Sequence, residues 1–214
     1  SAIHLRITDD AGNVGTADTT SYVLDTTAPT VTVGSTDISA DTGTADDDFN
    51  TKTAAQTLTA TLSAAAAGTD IVYVSVNAGS SWVDKTAGMT GADPDVSLST
   101  SITLSGSSSI QIKVTDAAGN DGATASTSYT LDQTAPTISF ASVDISADTG
   151  TSAADFNTKT AAQTLTGTLS AAMASGDVLK VSVDAGSSWS DVTSSVTGTP
   201  DTALSTAITL SGTS

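Results

Sequence analysis

Apolar and polar residues alternate with a period of two along much of this chain. Ile110, Ile112 and Val114 alternate with polar residues, and Leu58 and Leu62 belong to a similar run that is rich in Thr. A period of two places successive side chains on opposite faces of a β-strand. Because β-branched Thr also suits a pleated surface, the pattern predicts an all-β protein made of half-buried strands.

Turn-forming residues such as Asn77-Ala78-Gly79 and Ala118-Gly119-Asn120 separate these runs. Turns at intervals of about 8–12 residues predict seven strands in roughly 105 residues, the pattern of an immunoglobulin-like β-sandwich. The chain contains no Cys, so this sandwich lacks the disulfide of antibody domains. The predicted strands span residues 30–35, 56–63, 70–77, 81–86, 97–105, 109–116 and 122–132.

The same segment occurs twice. Residues 27–82 recur at 134–189, an offset of about 107, with roughly 40 of the positions identical. Such self-similarity is typical of tandem-repeat proteins, so we predict tandem immunoglobulin-like modules of about 107 residues within a longer array. The predicted boundaries are 1–28 for the last two strands of a preceding repeat, 29–135 for a complete repeat, and 136–214 for the first five strands of a following repeat.

Acidic residues dominate the charge of the chain. It has 23 Asp and Glu against 6 Lys and Arg, a formal net charge of -17. Such a surface repels nucleic acid and anionic lipid and attracts cations. No apolar run approaches the roughly 20 residues that span a bilayer, so we expect no membrane insertion. The expected partners are adjacent repeats of the same polypeptide, or neighbouring copies that complete the split sandwiches.

Four motifs resemble those of the immunoglobulin-like extender repeats of large bacterial surface adhesins of the biofilm-associated and RTX types. These are DTGTADDDFNT from Asp41, VSVNAGSSW from Val74, TDAAGN from Thr115 and LDQTAPT from Leu131. The resemblance covers the whole chain. It implies modules joined by calcium-stiffened linkers, bacterial secretion and an extracellular location at the cell surface.

Calcium is the expected cofactor, because Ca²⁺ takes six to eight oxygen ligands from flexible loops. In an immunoglobulin sandwich, the loop after the first strand lies where the last strand leaves, and the turn between strands six and seven lies where the chain enters. Stacked modules therefore bring an acidic loop, an exit aspartate and the next module's turn together. The candidate ligands are Asp41, Asp48, Asp132, Asp148, Asp155, Asp25, Asp9, Asn13, Asp116, Asn120, Asp37 and Asp144.

The alternative for these aspartates is a local role as turn residues or strand caps. Enzymatic chemistry has little support. His4 is the single histidine and is expected to be exposed, and the many Ser residues have no evident His or Lys partner. The scattered aromatic residues do not predict a sugar-binding platform, so we expect no enzyme activity.

Two functions fit this combination. The first is a structural extender of a secreted bacterial adhesin, which projects a distal binding domain. The second is a self-assembling extracellular filament, sheath or surface-layer protein built from the same modules.

Overall fold

The computed structural model describes residues 1–90 and 96–212, and nearly all of their regular structure is β-strand. The predicted all-β fold class is confirmed. The chain divides after Gln133 into a first compact unit, residues 1–133, and a second unit, residues 134–214. The helical segments among the described residues are two 3-10 turns, Thr86–Gly88 and Thr193–Ser195. Neither has the length or the apolarity needed to cross a membrane.

Residues 1–26, the N-terminal hairpin, contain the first two strands of the first unit. β1 (Ala2–Leu5) and β2 (Asp18–Ser21) pair antiparallel through Ile3↔Thr20. All eight strand residues are exposed, because within residues 1–90 and 96–212 these two strands form a sheet of their own. His4 is exposed as expected, and its Nδ1 lies 2.9 Å from Thr19 Oγ1.

The rest of the first unit is a two-sheet sandwich. One sheet has the order β3-β5-β9-β8 and the other the order β4-β11-β10-β6-β7. Each pair is antiparallel except β4 and β11, which are parallel. The strands of this sandwich are β3 (Val33–Ile38), β4 (Asn50–Thr51), β5 (Ala55–Leu62), β6 (Ile71–Ser75), β7 (Val83–Asp84), β8 (Met89–Thr90), β9 (Ser97–Thr103), β10 (Ser107–Thr115) and β11 (Ala125–Leu131).

Alternating side chains of the two sheets fill a single core. On β5, every second residue from Gln56 to Leu62 is buried, which is the period that the sequence predicts. Burial of each large aliphatic side chain contributes about 1.5–3 kcal/mol. The most deeply buried apolar members are Leu58, Val72, Leu98, Ile110, Ile112 and Val114.

All seven predicted strands are present, but several ends differ. The first begins three residues later, at Val33–Ile38, because it pairs with β5 through Ile38↔Leu58. The predicted strand 81–86 shortens to Val83–Asp84, because the chain then enters a 3-10 turn. The sequence did not predict β4 or β8, which are two-residue strands too short to carry a periodic signal.

The second unit repeats the early strands of the sandwich. Its four-stranded sheet has the order β12-β13-β17-β16, and β14 pairs with β15. Within residues 134–212, no strand corresponds to β4, β10 or β11. The strands are β12 (Phe140–Ile145), β13 (Ala162–Leu169), β14 (Lys180–Val181), β15 (Ser190–Asp191), β16 (Val196–Gly198) and β17 (Asp201–Thr209).

Candidate metal centre

An acidic loop follows the first strand of each unit's sandwich sheet, at residues 41–48 and 148–155. The loop ends at Phe49, whose φ of 59° lies in the left-handed region that bulky residues rarely adopt. This geometry points the Phe49 N–H at Asp41 Oδ2, 2.7 Å away. Phe156 repeats it with a φ of 56° and a 2.9 Å bond to Asp148 Oδ2. The sequence therefore folds the loop around one carboxylate in both copies.

The second oxygen of that carboxylate has no hydrogen-bond partner. Asp41 Oδ1 and its counterpart Asp148 Oδ1 are both shielded from solvent and unsatisfied. Leaving a buried polar atom unsatisfied costs about 1–3 kcal/mol, and more when it is charged. The same oxygen is therefore left unsatisfied in both copies of the loop.

Further oxygens crowd the same loop. A Cβ built on Gly43 would lie 3.1 Å from Asp48 Oδ1 and 3.0 Å from the Asn50 carbonyl oxygen. Asp48 Oδ1 accepts the Asn50 N–H at 2.9 Å, which directs its carboxylate back across the loop. Asp155 Oδ1 accepts the Asn157 N–H in the same way, at 3.0 Å. Carboxylate and carbonyl oxygens are the donor set that calcium takes.

The exit strand of the sandwich runs beside this loop, as the sequence predicts. β11 pairs in parallel with β4, and the Asp132 N–H donates to the Thr51 carbonyl oxygen at 2.9 Å. The Thr130 N–H likewise donates to the Phe49 carbonyl oxygen at 3.0 Å. These bonds place the backbone of the exit aspartate at the base of the acidic loop.

Asp25 and the turn between β10 and β11 meet at another point of the first unit. Asn120 Nδ2 donates to the Asp25 carbonyl oxygen at 3.2 Å. The structure thus brings together a linker residue and a turn residue that the sequence assigns to one junction. The Asp25 carboxylate meanwhile accepts the Thr27 N–H through Oδ1 at 3.0 Å.

The turn aspartates also support their own turns. Asp116 Oδ1 accepts the N–H groups of Ala118 and Asn120, and Oδ2 accepts Asn120 Nδ2 at 2.9 Å. The Asn120 side chain, followed by its N–H, lowers the pKa of Asp116. Asp9 and Asn13 repeat these bonds at 2.7 and 2.8 Å, and Asn13 lowers the pKa of Asp9. The turn role that the sequence left open is therefore present.

Two of the candidate ligands lie away from the loops. Asp37 and Asp144 are exposed residues of β3 and β12, and each Oδ1 accepts the N–H of the following Ile at 2.8 Å. Their carboxylates therefore cap their own strands. Among residues 1–90 and 96–212, no three His, Cys, Asp or Glu side chains are grouped so that they could hold a metal ion.

A buried glutamine that the sequence reasoning missed holds the acidic loop in place. Gln56 Oε1 accepts the Ala40 N–H, and its Nε2 donates to the carbonyl oxygens of Ala40 and Thr53. Gln163 makes the corresponding bonds to Ala147 and Thr160. The available signal was a polar residue at a core-facing position of the alternating pattern, identical in both copies.

No protein-family model, curated protein or solved structure matches the chain. The site is therefore interpreted from its own chemistry.

Proposed function

We propose that the chain is a structural extender, a series of β-sandwich spacers whose joints calcium stiffens. The unsatisfied carboxylate oxygens of Asp41 and Asp148 carry the proposal. They recur in two copies, each in a loop that Gln56 or Gln163 braces. The acidic composition, with a net charge of -17, favours a cation as the group that satisfies them.

The residues that would hold calcium fall into two sets. The first set lies where the last strand leaves a sandwich, and it consists of Asp41, Asp48 and Asp132. The equivalent residues of the other repeats are Asp148, Asp155 and Asp25. The next repeat would add its turn, represented here by Asp116 and Asn120 or by Asp9 and Asn13. Bound calcium would supply charge neutralisation and fix the linker, because one ion would hold oxygens from both sides of the joint.

The setting that suits this role is the bacterial cell surface, outside the cell. The chain contains no Cys and so has no disulfide of its own. Extracellular calcium would instead link the segments that meet at each joint. In such an array the repeats provide reach, and ligand binding or catalysis belongs to other domains. The partners of each repeat are then its own neighbours.

A calcium-dependent melt tests the metal centre. We expect a chelator to lower the melting temperature of the chain by several degrees, because a ligand that binds only the folded state adds directly to its stability. Asp41→Asn with Asp148→Asn should remove most of this response. Asp37→Asn with Asp144→Asn is the matched control, because those carboxylates cap strands outside the loop. Superimposable melts of the unaltered chain with calcium and with chelator would contradict the calcium role.

A self-assembling filament, sheath or surface-layer protein is the second candidate. The exposed apolar side chains of the N-terminal hairpin, among them Ile3, Leu5 and Ile7, favour it. Electron microscopy of the purified chain distinguishes the two functions. Single thin threads would support the extender, and ordered bundles or lattices would support lateral assembly.

A further inference from the structure

The chain that enters the sandwich of the first unit, residues 25–29, is called the entry linker here, and the turn between β10 and β11 holds it. Asn120 Nδ2 donates to Asp116 Oδ2 at 2.9 Å and to the Asp25 carbonyl oxygen at 3.2 Å. A side-chain amide nitrogen carries two hydrogens, so these two bonds engage both donors of Asn120. Asn120 is half-buried, whereas Asn13, at the same position of the N-terminal hairpin, is exposed. The Asn120 amide therefore joins the turn to the entry linker.

A glycine provides a second contact between the turn and the entry linker. A Cβ built on Gly122 would lie 2.9 Å from the Pro29 carbonyl oxygen and 3.5 Å from Pro29 Cβ. Gly15 is the equivalent residue of the N-terminal hairpin, and among the described residues its Cβ would meet the Ile7 carbonyl oxygen at 3.2 Å and no atom of the linker. The absence of a side chain at Gly122 therefore lets the linker backbone lie directly against the turn.

The chain stays attached to the sandwich beyond the entry linker. Val31 packs partly buried against the core. The Thr32 N–H donates to Ser63 Oγ at 3.0 Å, and the Ser63 N–H donates to the Thr32 carbonyl oxygen at 2.8 Å. Within the linker, the Thr27 N–H donates to Asp25 Oδ1 at 3.0 Å, which sets the direction of the chain after Asp25. Contacts that fix the chain therefore extend from Asp25 to Thr32.

The turn that makes these contacts is itself anchored to β10. Lys113 Nζ lies 2.6 Å from Asp121 Oδ2, and Thr115 Oγ1 donates to Asp121 Oδ1 at 2.6 Å. Lys113 also lies over the Trp82 ring, 4.6 Å from its centre. Val14 occupies the position of Asp121 in the N-terminal hairpin, so the hairpin's turn cannot form the same ion pair. The turn at residues 116–122 is thus a fixed platform for the linker.

We propose that this turn is a latch that fixes the entry linker to the sandwich that follows it, without a metal ion. Its contacts join protein atoms directly, through the bond from Asn120 to Asp25 and the packing of Pro29 on Gly122. The entry linker then moves as a part of the sandwich. Calcium bound near the turn would add to the latch but would not be needed to form it.

The latch locates the hinge of a joint between repeats. Asp132 stands at the repeat position of Asp25, and its N–H donates to the Thr51 carbonyl oxygen of its own sandwich at 2.9 Å. A linker aspartate between two sandwiches is thus held upstream through its N–H and downstream through its carbonyl oxygen. The φ and ψ of that one residue remain as the hinge. This step rests on the proposed function, because it treats the two aspartates as one position of an array; the latch itself does not.

NMR relaxation of the 214-residue chain in a chelator tests the latch. We expect order parameters of about 0.85, the value of rigid backbone, for the amides of Thr27, Ala28 and Thr30. Values below about 0.6 in the chelator would overturn the latch. If such values rose when calcium was added, the metal would hold the linker, and the proposed function would stand without the latch. A rigid linker in a chain whose melts do not respond to calcium would support the latch and contradict the proposed function.

A matched pair of variants identifies the residue that holds the linker. Asn120→Ala should lower the order parameters of Thr27 and Ala28 below about 0.6, because it removes the bond to the Asp25 carbonyl oxygen. Asn13→Ala is the control, since it removes the corresponding bond inside the turn of the N-terminal hairpin and should leave the linker unchanged. Equal effects of the two variants on the linker would overturn the proposal.

A second variant keeps the test decisive if Asn120→Ala loosens the turn itself. Gly122→Ala removes no hydrogen-bonding group, and its Cβ should displace Pro29 and raise the mobility of Thr27 and Ala28. The Ala118 amide, which donates to Asp116 Oδ1, reports whether the turn stays folded. Loss of linker order with an unchanged Ala118 amide is the expected result. A linker that stays as rigid in Gly122→Ala and Asn120→Ala as in the unaltered chain would contradict the latch.

Discussion

The segment DFNTKTAAQTLT occurs at residues 48–59 and again at 155–166, and its two copies are packed differently. Phe49 is 8% exposed in the sandwich, and Phe156 is 47% exposed in the second unit. Asn50–Thr51 forms a strand, whereas Asn157 and Thr158 do not. The difference comes from β10 and β11, because β4 lies at the edge of its sheet and pairs with β11. Phe49 therefore reaches the core because distant strands close the sandwich, whereas Gln56 and Gln163 are equally buried in both units.

The acidic loop behaves in the opposite way. The bond from Phe49 N–H to Asp41 has its counterpart from Phe156 N–H to Asp148, and in both units the second carboxylate oxygen is unsatisfied. Its bracing bonds come from Gln56 or Gln163, which are close in sequence and belong to the same unit. The loop is thus preorganised locally, whereas the core depends on completion of the sheet.

Hydrogen exchange should show the largest contrast between the two units. At a concentration low enough for monomers, we expect amides of β13 to be at least about 100-fold less protected than those of β5, because local stability follows the packing of each region. Exchange measured by NMR gives both sets from one sample. Equal protection would mean that the second unit is stable without strands equivalent to β10 and β11.

A matched pair of core truncations should give the next largest contrast. Leu58→Ala is expected to cost about 2–5 kcal/mol of unfolding free energy, as a fully buried Leu does. Leu165→Ala, at the half-buried equivalent position, should cost about 1 kcal/mol. Trp82 and Trp189 report separately on the two units once the other Trp is replaced by Phe. Equal costs would contradict an open core in the second unit.

Lowering the pH should affect the turn at Asp184 but not the equivalent turn at Asn77, and this is the smallest of the expected differences. Asp184 occupies the position of Asn77, and hydrogen bonds from Ser188 and Ser182 lower its pKa from 3.8 to about 2. A lowered pKa means that its contribution to stability is present above about pH 4 and is lost as the pH falls towards 2. NMR titration should therefore show a carboxyl midpoint near 2 and loosening of the Ser182–Ser188 turn.

Asn77, the counterpart of Asp184 in the first unit, is an internal control for this titration. Asn77 makes corresponding bonds with Ser75 and Ser81 but has no proton to gain. Its turn should stay unchanged over the same pH range, and Asp184→Asn should make the second turn behave like it. A midpoint near 3.8 would show that the bonds to Asp184 do not form in solution.

The sequence predicts the strands well, because alternation of apolar side chains is a local signal. It also places Asp132 beside the acidic loop, and Asp25 beside the turn at Asn120, since both follow from strand order in a sandwich. The positive φ of Phe49 and the burial of Gln56 were not predictable in the same way. A positive φ is unusual for Phe, and a buried position is unusual for Gln. Both arise because the loop and the core form together. Asp37 and Asp144 were predicted as calcium ligands, and the structure places them on strands.

Small-angle scattering tests the extender function most directly. Fusing two copies of the chain end to end joins the second unit covalently to the next N-terminal hairpin. We expect its maximum dimension to shrink when calcium is chelated and to recover when calcium returns, with Asp132→Ala in the first copy mimicking chelation at one joint. The strand-capping variant Asp37→Ala should leave the dimension unchanged. A fused chain that is equally extended with and without calcium would contradict calcium-stiffened joints.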